Sequence, residues 1–257
     1  MKVTDYIVTT EKKGIDLTAV CVSDLHARPC KKIISKIKKT SPDVILLAGD
    51  IFEIITPYMS KRNQNALEFV RSCVSIAPTF YTVGNHEIYY SHAKPGFSKT
   101  SDREMEKNHF DMIRSLGVIL INDEYVAYKS GVFIGGAICG RDKDPDISDP
   151  DFNLEFIRKF DDEKDVFKIL LCHYPHYYPM YLKDTTFDLI LSGHAHGGQW
   201  RLFGRGVFAP HQGLFPKLTS GIHDNRLIIS RGAVNNIKPI PRLFNPCEIL
   251  KIKIQSK

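Results

Sequence analysis

The sequence predicts an α/β protein with a mixed sheet or two packed sheets. Short apolar runs rich in β-branched residues and bounded by turn residues are typical of buried strands. Helical patterns separate the early runs, whereas the second half is rich in strands and has few helices. The nine runs cover residues 17–22, 44–48, 79–83, 118–121, 132–134, 168–172, 189–191, 227–230 and 249–254.

Apolar residues at helical spacing predict three helices. The basic run KKIISKIKK at 31–39 carries isoleucines on one face, which favours a surface helix with a lysine-rich outer side over a membrane or nucleic-acid patch. Two further stripes occur before residue 120, whereas 88–102 is typical of a long loop. The apolar positions of the three stripes are Ile33, Ile34 and Ile37; Ala66, Phe69, Val70 and Cys73; and Met105, Met112, Ile113 and Leu116.

Composition excludes several protein classes. The 257 residues are 43% hydrophobic and 25% charged, which excludes collagen-like and disordered chains, and no linker divides 1–257, so we expect one domain. No apolar stretch is long enough for an export signal or a membrane span, which indicates a cytoplasmic protein. Six scattered cysteines without a CxxC pair indicate reduced thiols. The net charge of +6 favours anionic ligands without identifying them.

Five of the predicted strands end in Asp, Asn or His. Ligands of open α/β sheets bind beyond the carboxyl ends of strands, so this repetition points to a site rather than to turns alone. Any one of these residues is also an ordinary rim or turn residue, and the inference depends on all five occurring together. The strand-end sequences are SDLH at 23–26, GD at 49–50, GNHE at 84–87, His173, and GHAH at 193–196.

These residue types predict a dinuclear metal centre. Imidazole nitrogen and carboxylate oxygen suit manganese, iron or zinc. The DxH and HxH pairs place two side chains on the same side of an extended segment, so each pair directs two ligands to one point. No cysteine belongs to the set, which argues against a closed structural zinc site.

The order DxH, GD, GNH followed by Asp or Glu, His, and GHxH resembles that of the calcineurin-like metallophosphoesterase family. The segment SGHAHGGQW at 192–200 is similar to a bacterial branch with GHxHGGQ, as are segments 213–221, 229–232 and 241–249. The resemblance covers nearly the whole chain. It implies a four-layer αββα sandwich with two central mixed β-sheets.

The resemblance also implies a ligand set and a nucleophile. One divalent ion would be bound by Asp24, His26 and His196, and the other by Asn85, His173 and His194. Asp50 would bridge the two ions. Manganese is favoured over iron and zinc as the metal. A hydroxide shared by both ions would attack phosphorus in line.

Several neighbouring residues are candidates for further roles. In the family, the position of His86 stabilises the transition state or protonates the leaving oxygen. Glu53 would orient it, with Glu87 as the alternative. Three residues are candidates for substrate binding: Arg28, His92 and Gly197. Each also has a purely structural interpretation: Arg28 as part of a surface salt bridge, His92 as loop packing and Gly197 as a turn glycine.

The predicted function is metal-dependent hydrolysis of phosphoesters, with a phosphodiesterase ahead of a phosphomonoesterase or nucleotide phosphatase. A non-catalytic scaffold is disfavoured because every ligand position is filled. A nuclease is disfavoured because no basic groove interleaved with aromatic residues is visible. An amidohydrolase is disfavoured because the first strand ends in DxH rather than HxH. The expected substrate is a small-molecule or lipid-linked phosphoester, with peripheral contact to a membrane as a second possibility for location and no protein partner implied.

Overall fold

A computed structural model describes residues 1–53, 61–88, 99–129, 131–139, 149, 152–235 and 241–257. The strands are β1 (Lys2–Thr10), β2 (Asp16–Val22), β3 (Val44–Ala48), β4 (Thr79–Thr82), β5 (Ile119–Leu120), β6 (Glu124–Lys129), β7 (Val132–Ala137), β8 (Phe167–Cys172), β9 (Leu189–Ser192), β10 (Arg201–Leu202), β11 (Arg205–Gly206), β12 (Phe208–Ala209), β13 (Gly213–Leu214), β14 (Gly221–His223), β15 (Leu227–Ile229) and β16 (Glu248–Ser256). The helices are α1 (Lys31–Thr40), α2 (Lys61–Ile76), α3 (Asn85–Ile88), α4 (Lys99–Ser115) and α5 (Leu154–Asp161).

Two six-stranded mixed sheets form the centre of the molecule. The first has the order β1-β16-β2-β3-β4-β5, in which β2 to β5 run parallel and β16 runs antiparallel to β2. The second has the order β14-β15-β9-β8-β7-β6, in which β15, β9, β8 and β7 run parallel. The parallel central strands of each sheet therefore direct their carboxyl ends to one edge.

Alternation along the strands divides the core into three apolar layers. On β2, Ala19 and Cys21 lie between the two sheets, whereas Val20 and Val22 pack under α1 and α2. On β8, Ile169 lies between the sheets and Leu170 faces α5. The order helices, sheet, sheet, helices confirms the αββα sandwich.

The predicted elements are largely confirmed. All nine apolar runs are strands, and the isoleucine face of α1 is buried while its lysines face solvent. The predicted loop over 88–102 is wrong at both ends, since α3 still includes Ile88 and α4 already begins at Lys99. The first turn of α4 carries Lys, Thr, Ser and Asp, so no apolar spacing marks it in the sequence. Residues 89–98 lie outside the described ranges.

The cysteines are all free thiols, as predicted, and five of the six are buried. Those of Cys139 and Cys172 lie close to each other, with 3.3 Å between their sulfur atoms. Within the described ranges, no helix combines the length and the apolar character needed to cross a membrane.

We expect Leu46→Ala to lower the free energy of unfolding by about 2–5 kcal/mol, because it leaves a cavity between the two sheets where relaxation is limited. Urea denaturation measures this change. The matched control is Ile7→Ala on β1, where the side chain is 71% exposed and a change within about 0.5 kcal/mol is expected. Equal effects of the two substitutions would contradict the assignment of Leu46 to the core.

Candidate metal centre

The two sheets bring their strand-end loops together at one place. The loops after β2, β3 and β4 come from the first sheet, and those after β8 and β9 come from the second. Each loop follows a buried parallel strand, so its first polar side chains project beyond the same edge. Three groups of potential ligand atoms converge there, and the atoms of each group lie within 4.8 Å of one another; the first two groups share His26. The three groups are Asp24, His26 and His196; His26, Glu53 and His86; and Asp50, His173 and His194.

The first and third groups are joined through Asp50. Its Oδ2 lies 3.1 Å from Nε2 of His173 and 3.8 Å from Nε2 of His26. In the first group, Nε2 of His196 lies 3.2 Å from Nε2 of His26 and 3.5 Å from Oδ1 of Asp24. A carboxylate between two such groups has the position that a bridging ligand requires.

Three buried atoms in the cluster have no hydrogen-bond partner among the described residues. They are Oδ1 of Asn85, Nε2 of His173 and Nε2 of His194. The ring of His173 faces Asp50 closely but outside hydrogen-bond geometry. Leaving such atoms unpaired in the interior costs free energy, which a bound cation removes. The donors are nitrogen and oxygen only, so the set fits manganese, iron or zinc.

Hydrogen bonds on the far side of two rings fix which nitrogen faces the cluster. Nδ1 of His26 donates to Oε1 of Glu53 over 2.8 Å, and Nδ1 of His173 donates to the carbonyl of Ala48 over 2.7 Å. When the ring is neutral, each bond places the proton on Nδ1 and leaves the Nε2 lone pair for a metal ion.

His86 lies at the solvent side of the cluster. Its amide donates to Oδ1 of Asp50 over 2.9 Å, and its Nδ1 lies 3.3 Å from Oε2 of Glu53. Its ring packs edge-on against that of His26, and 30% of its side chain is exposed. Glu53 therefore contacts both histidines, one with each carboxylate oxygen.

The contacts of Glu87 differ from the predicted alternative, in which it would orient His86. Its carboxylate is buried and accepts hydrogen bonds from the Tyr81 hydroxyl and from four backbone amides. The amides belong to Asp50, Ile51, Phe52 and Gly84, over 2.6–2.8 Å. One side chain thus ties the loop after β3 to the loop after β4. Sequence reasoning missed this contact because its partners are amides, which leave no residue signature.

Five of the converging residues adopt a left-handed backbone, which is uncommon outside glycine. The values of φ are 55° at Asp24, 49° at His26, 56° at Asp50, 65° at His194 and 46° at His196. Bonds between loops hold this conformation: the amide of His26 donates to the Asp50 carbonyl over 2.9 Å, and that of His194 donates to Oδ1 of Asp24 over 3.0 Å. Strain of this kind is typical of functional sites.

A sequence model of calcineurin-like phosphoesterases matches residues 17–198, which include the whole cluster. The chain belongs to the calcineurin-like phosphoesterase family. This membership supports metal-dependent hydrolysis of phosphoric esters, and the family generally uses two divalent ions.

Relatives of this calcineurin-like phosphoesterase extend over most of its length. An uncharacterised metallophosphoesterase from Campylobacter jejuni is 29% identical over 94% of this chain and 60% of its own. Another from Aquifex aeolicus is 25% identical over 100% of this chain and 93% of its own. A 5′-nucleotidase precursor from Thermus thermophilus superposes on 79% of this chain and 45% of its own, with 18% identity and a TM-score of 0.45. The chain spans less than two thirds of the Campylobacter relative.

Burial and neighbouring charges shift the pKa values of the residues in the phosphoesterase cluster. Burial opposes the charge on Asp50, but the imidazoles of His173 and His86 outweigh it and hold the Asp50 pKa well below its usual range. Burial lowers the pKa of His196 to about 3, and burial together with His173 lowers that of His194. Unprotonated imidazoles beside an ionised carboxylate are suited to bind cations. For His86, Asp50 and then Glu53 outweigh burial and raise the pKa to about 9.

The substrate-binding candidates differ in their placement. Gly197 adopts a φ of 67°, and a Cβ there would collide with the side chain of Asn245, so close packing already requires glycine. Asn245 in turn donates to the carbonyl of His196 over 2.7 Å, which holds the ligand loop. Arg28 is half-buried, two residues beyond His26. His92 lies outside the described residues.

Arg242 is a neighbour of the cluster that sequence reasoning missed. Its Nη2 lies 2.9 Å from Nδ1 of His196, on the side of the ring away from Asp24. Its two Nη atoms also donate to the carbonyls of Arg231 and Val234 over 2.5 and 2.6 Å. The segment 241–249 resembles the family's C-terminal pattern, but nothing in that pattern indicates a contact with His196.

We expect Glu87→Gln to lower the free energy of unfolding by about 2–3 kcal/mol, because the amide nitrogen would face backbone donors and leave at least one unpaired. Chemical denaturation of metal-free protein measures this change and separates it from any effect on metal binding.

The matched control for Glu87→Gln is Glu155→Gln on the exposed face of α5, where no change beyond about 0.5 kcal/mol is expected. A stability loss no larger for Glu87→Gln than for this control would show that the five contacts do not stabilise the loops.

Proposed function

We propose that the protein hydrolyses phosphodiesters with two divalent ions bound at the strand-end cluster. The observation that carries this proposal is the position of the Asp50 carboxylate between two groups of nitrogen and oxygen donors, with His86 on the solvent side. A substrate approaching from solvent would meet His86 and the ligand groups together.

In this proposal, Asp24, His26 and His196 hold one ion, and Asn85, His173 and His194 hold the other. Asp50 would contribute to both sites. Ions bound there would supply Lewis acidity and activate water as the nucleophile at neutral pH. The donor set contains the neutral amide of Asn85 and four imidazoles, which limits negative charge around the ions and keeps them electrophilic.

The chain's own residues would orient the reaction and move the proton. His86 donates from its exposed ring to the leaving oxygen, while Glu53 holds its Nδ1 and that of His26. The backbone bond from His86 to Asp50 fixes the distance between the proton donor and the bridging position. Arg28, His92 and Gly197 remain candidates for contacts with the substrate.

A diester fits this site better than a monoester. A monoester dianion carries one more negative charge, whose binding favours a mobile cationic side chain. Arg242 contacts the ligand cluster, but both its Nη atoms are already held by carbonyls, so it is not a mobile cation. Phosphomonoesterase or nucleotide phosphatase activity is the alternative.

Three finer features belong to the same proposal. Manganese is the favoured ion, and the substrate is a small-molecule or lipid-linked phosphoester. The six free cysteines support a reducing compartment such as the cytoplasm.

We expect protein stripped of metal to be inactive and Mn²⁺ to restore cleavage of bis(p-nitrophenyl) phosphate in preference to p-nitrophenyl phosphate. Parallel additions of Fe²⁺ and Zn²⁺ identify the preferred ion. Asp50→Asn should lower kcat/KM by about 10²-fold or more, whereas Asp111→Asn on α4, which has an exposed side chain, should not change it.

Faster cleavage of the monoester would favour the alternative activity. Absence of turnover on either ester by protein with two bound ions would contradict hydrolysis of unhindered phosphoesters.

We expect His86→Asn to lower kcat by about 10²- to 10⁴-fold while the number of bound ions stays unchanged. The loss should be larger for an alkyl leaving group, as in a glycerophosphodiester, than for p-nitrophenolate, because a better leaving group needs less protonation. His223→Asn, a half-buried histidine on β14, is the control. Equal losses with both leaving groups would refute proton donation by His86.

A further inference from the structure

Large apolar side chains are concentrated on one exposed part of the molecule. Fourteen are exposed among the described residues, and eight of these lie in or directly beside two short hairpins, β10–β11 and β12–β13, and in the segment 243–244. We call these eight the hairpin surface: Trp200, Leu202, Phe203, Phe208, Leu214, Phe215, Leu243 and Phe244. Exposed apolar patches of this kind mark interaction sites.

The hairpin surface is one connected structure. Phe208 and Leu214 are direct partners across β12 and β13, so their side chains lie on the same face of that hairpin. The amide of Val207 donates to the carbonyl of Trp200 over 2.8 Å, which joins the two hairpins. An isolated bridge pairs Trp200 with Leu243.

Three phenylalanines of the hairpin surface are exposed from a strained backbone. Phe203, Phe215 and Phe244 have φ values of 48°, 51° and 53°, a region that bulky residues rarely adopt. Phe203 is fully exposed at the turn of its hairpin, and Phe244 is 83% exposed. A strained conformation that leaves an aromatic ring in water adds nothing to the folded core. Such outliers point to function.

The segment that carries most of the hairpin surface has charge of a single sign. Between Asp188 and Asp224 the sequence contains no acidic residue, whereas it contains Arg201, Arg205 and Lys217. Arg205 and Lys217 are exposed, and Arg201 is tied to the carbonyl of Gly197. Aromatic rings flanked by basic side chains match the interface of an anionic bilayer, where rings enter the headgroup region and basic groups contact phosphates.

The basic helix α1 has exposed basic side chains but no exposed apolar side chains beside them. Its exposed face carries lysines, but Ile33, Ile34 and Ile37 are all buried against α2 and the first sheet. It therefore offers attraction to anionic lipids without apolar side chains that can insert.

We propose that the hairpin surface docks the protein on anionic phospholipid bilayers. Phe203, Phe215 and Phe244 enter the interface, while Arg205 and Lys217 contact the headgroups. The surface adjoins the candidate metal centre, because the amide of Val207 donates to the carbonyl of Gly198, two residues beyond His196, over 3.1 Å. Docking does not require hydrolysis. If the proposed phosphodiesterase activity holds, docking brings phosphoesters at the bilayer surface within reach of the site.

The only tryptophan of the chain, Trp200, lies within the hairpin surface and provides the probe. We expect its emission to shift to shorter wavelength with vesicles of phosphatidylglycerol and phosphatidylcholine, and vesicle flotation to recover bound protein. Vesicles of phosphatidylcholine alone should bind at least about tenfold more weakly. Quenching by brominated lipid then reports insertion of the ring.

The double variant Phe203→Ser/Phe215→Ser should lose vesicle binding at least about tenfold and keep its hydrolysis of bis(p-nitrophenyl) phosphate. Two controls should bind like the parent protein: Ile7→Ser, which removes an exposed apolar residue elsewhere, and Lys38→Ser/Lys39→Ser, which removes charge from α1. Circular dichroism verifies that each variant is folded, independently of activity.

Three outcomes would overturn the proposal. The first is that the protein binds neither the phosphatidylglycerol-containing vesicles nor those of phosphatidylcholine alone. The second is loss of binding in the α1 variant with retention in the phenylalanine variant. The third is self-association through the hairpin surface, detected as a dimer that Phe203→Ser/Phe215→Ser dissociates. Absence of hydrolysis together with vesicle binding would instead contradict only the proposed function.

Discussion

The buried carboxylate of Glu87 is the contact on which the geometry of the site depends. It accepts hydrogen bonds from four backbone amides and the Tyr81 hydroxyl, and thereby joins the loop that carries Asp50 to the loop that carries Asn85 and His86. Burial, followed by the charge of Asp50, raises the pKa of Glu87 to about 7. The ionised form of this carboxyl group is suited to the position, because all five contacts are donors and an ionised carboxylate has no hydrogen to oppose them.

The loops beyond the sheets carry conformational cost that the sheets offset. A left-handed backbone costs of the order of 1–3 kcal/mol per residue, and Asp24, His26 and Asp50 all adopt it. The layer between the sheets is apolar and buried, so the free energy gained by burying it offsets the strain of the left-handed residues. Stability therefore comes from the strands, and the chemistry comes from residues held at their ends.

Local sequence signals predicted the parts of the structure that local physics determines. Buried runs such as 44–48 are apolar along their whole length, and the polar residues after them stand where parallel strands end. The sequence signal is weaker for contacts between residues that are far apart along the chain. β1 is half-polar and pairs with β16 across the chain, the bonds of Glu87 involve mainly amides, and Arg242 reaches His196 from outside the ordered series of ligand motifs. The exposed rings around Phe203 give no strand or helix period.

The position of β16 has a consequence for how the chain is made. It lies between β1 and β2 in the first sheet, pairing in parallel with Lys2–Thr10 and antiparallel to Asp16–Val22. In a growing chain, β1 and β2 are made long before residues 248–256, so their hydrogen bonds to β16 form only after those residues are available. Until then their edges are open to other chains. Closure of the first sheet therefore follows the synthesis of residues 248–256, and the edges of β1 and β2 are the places where an incomplete chain can pair with other chains.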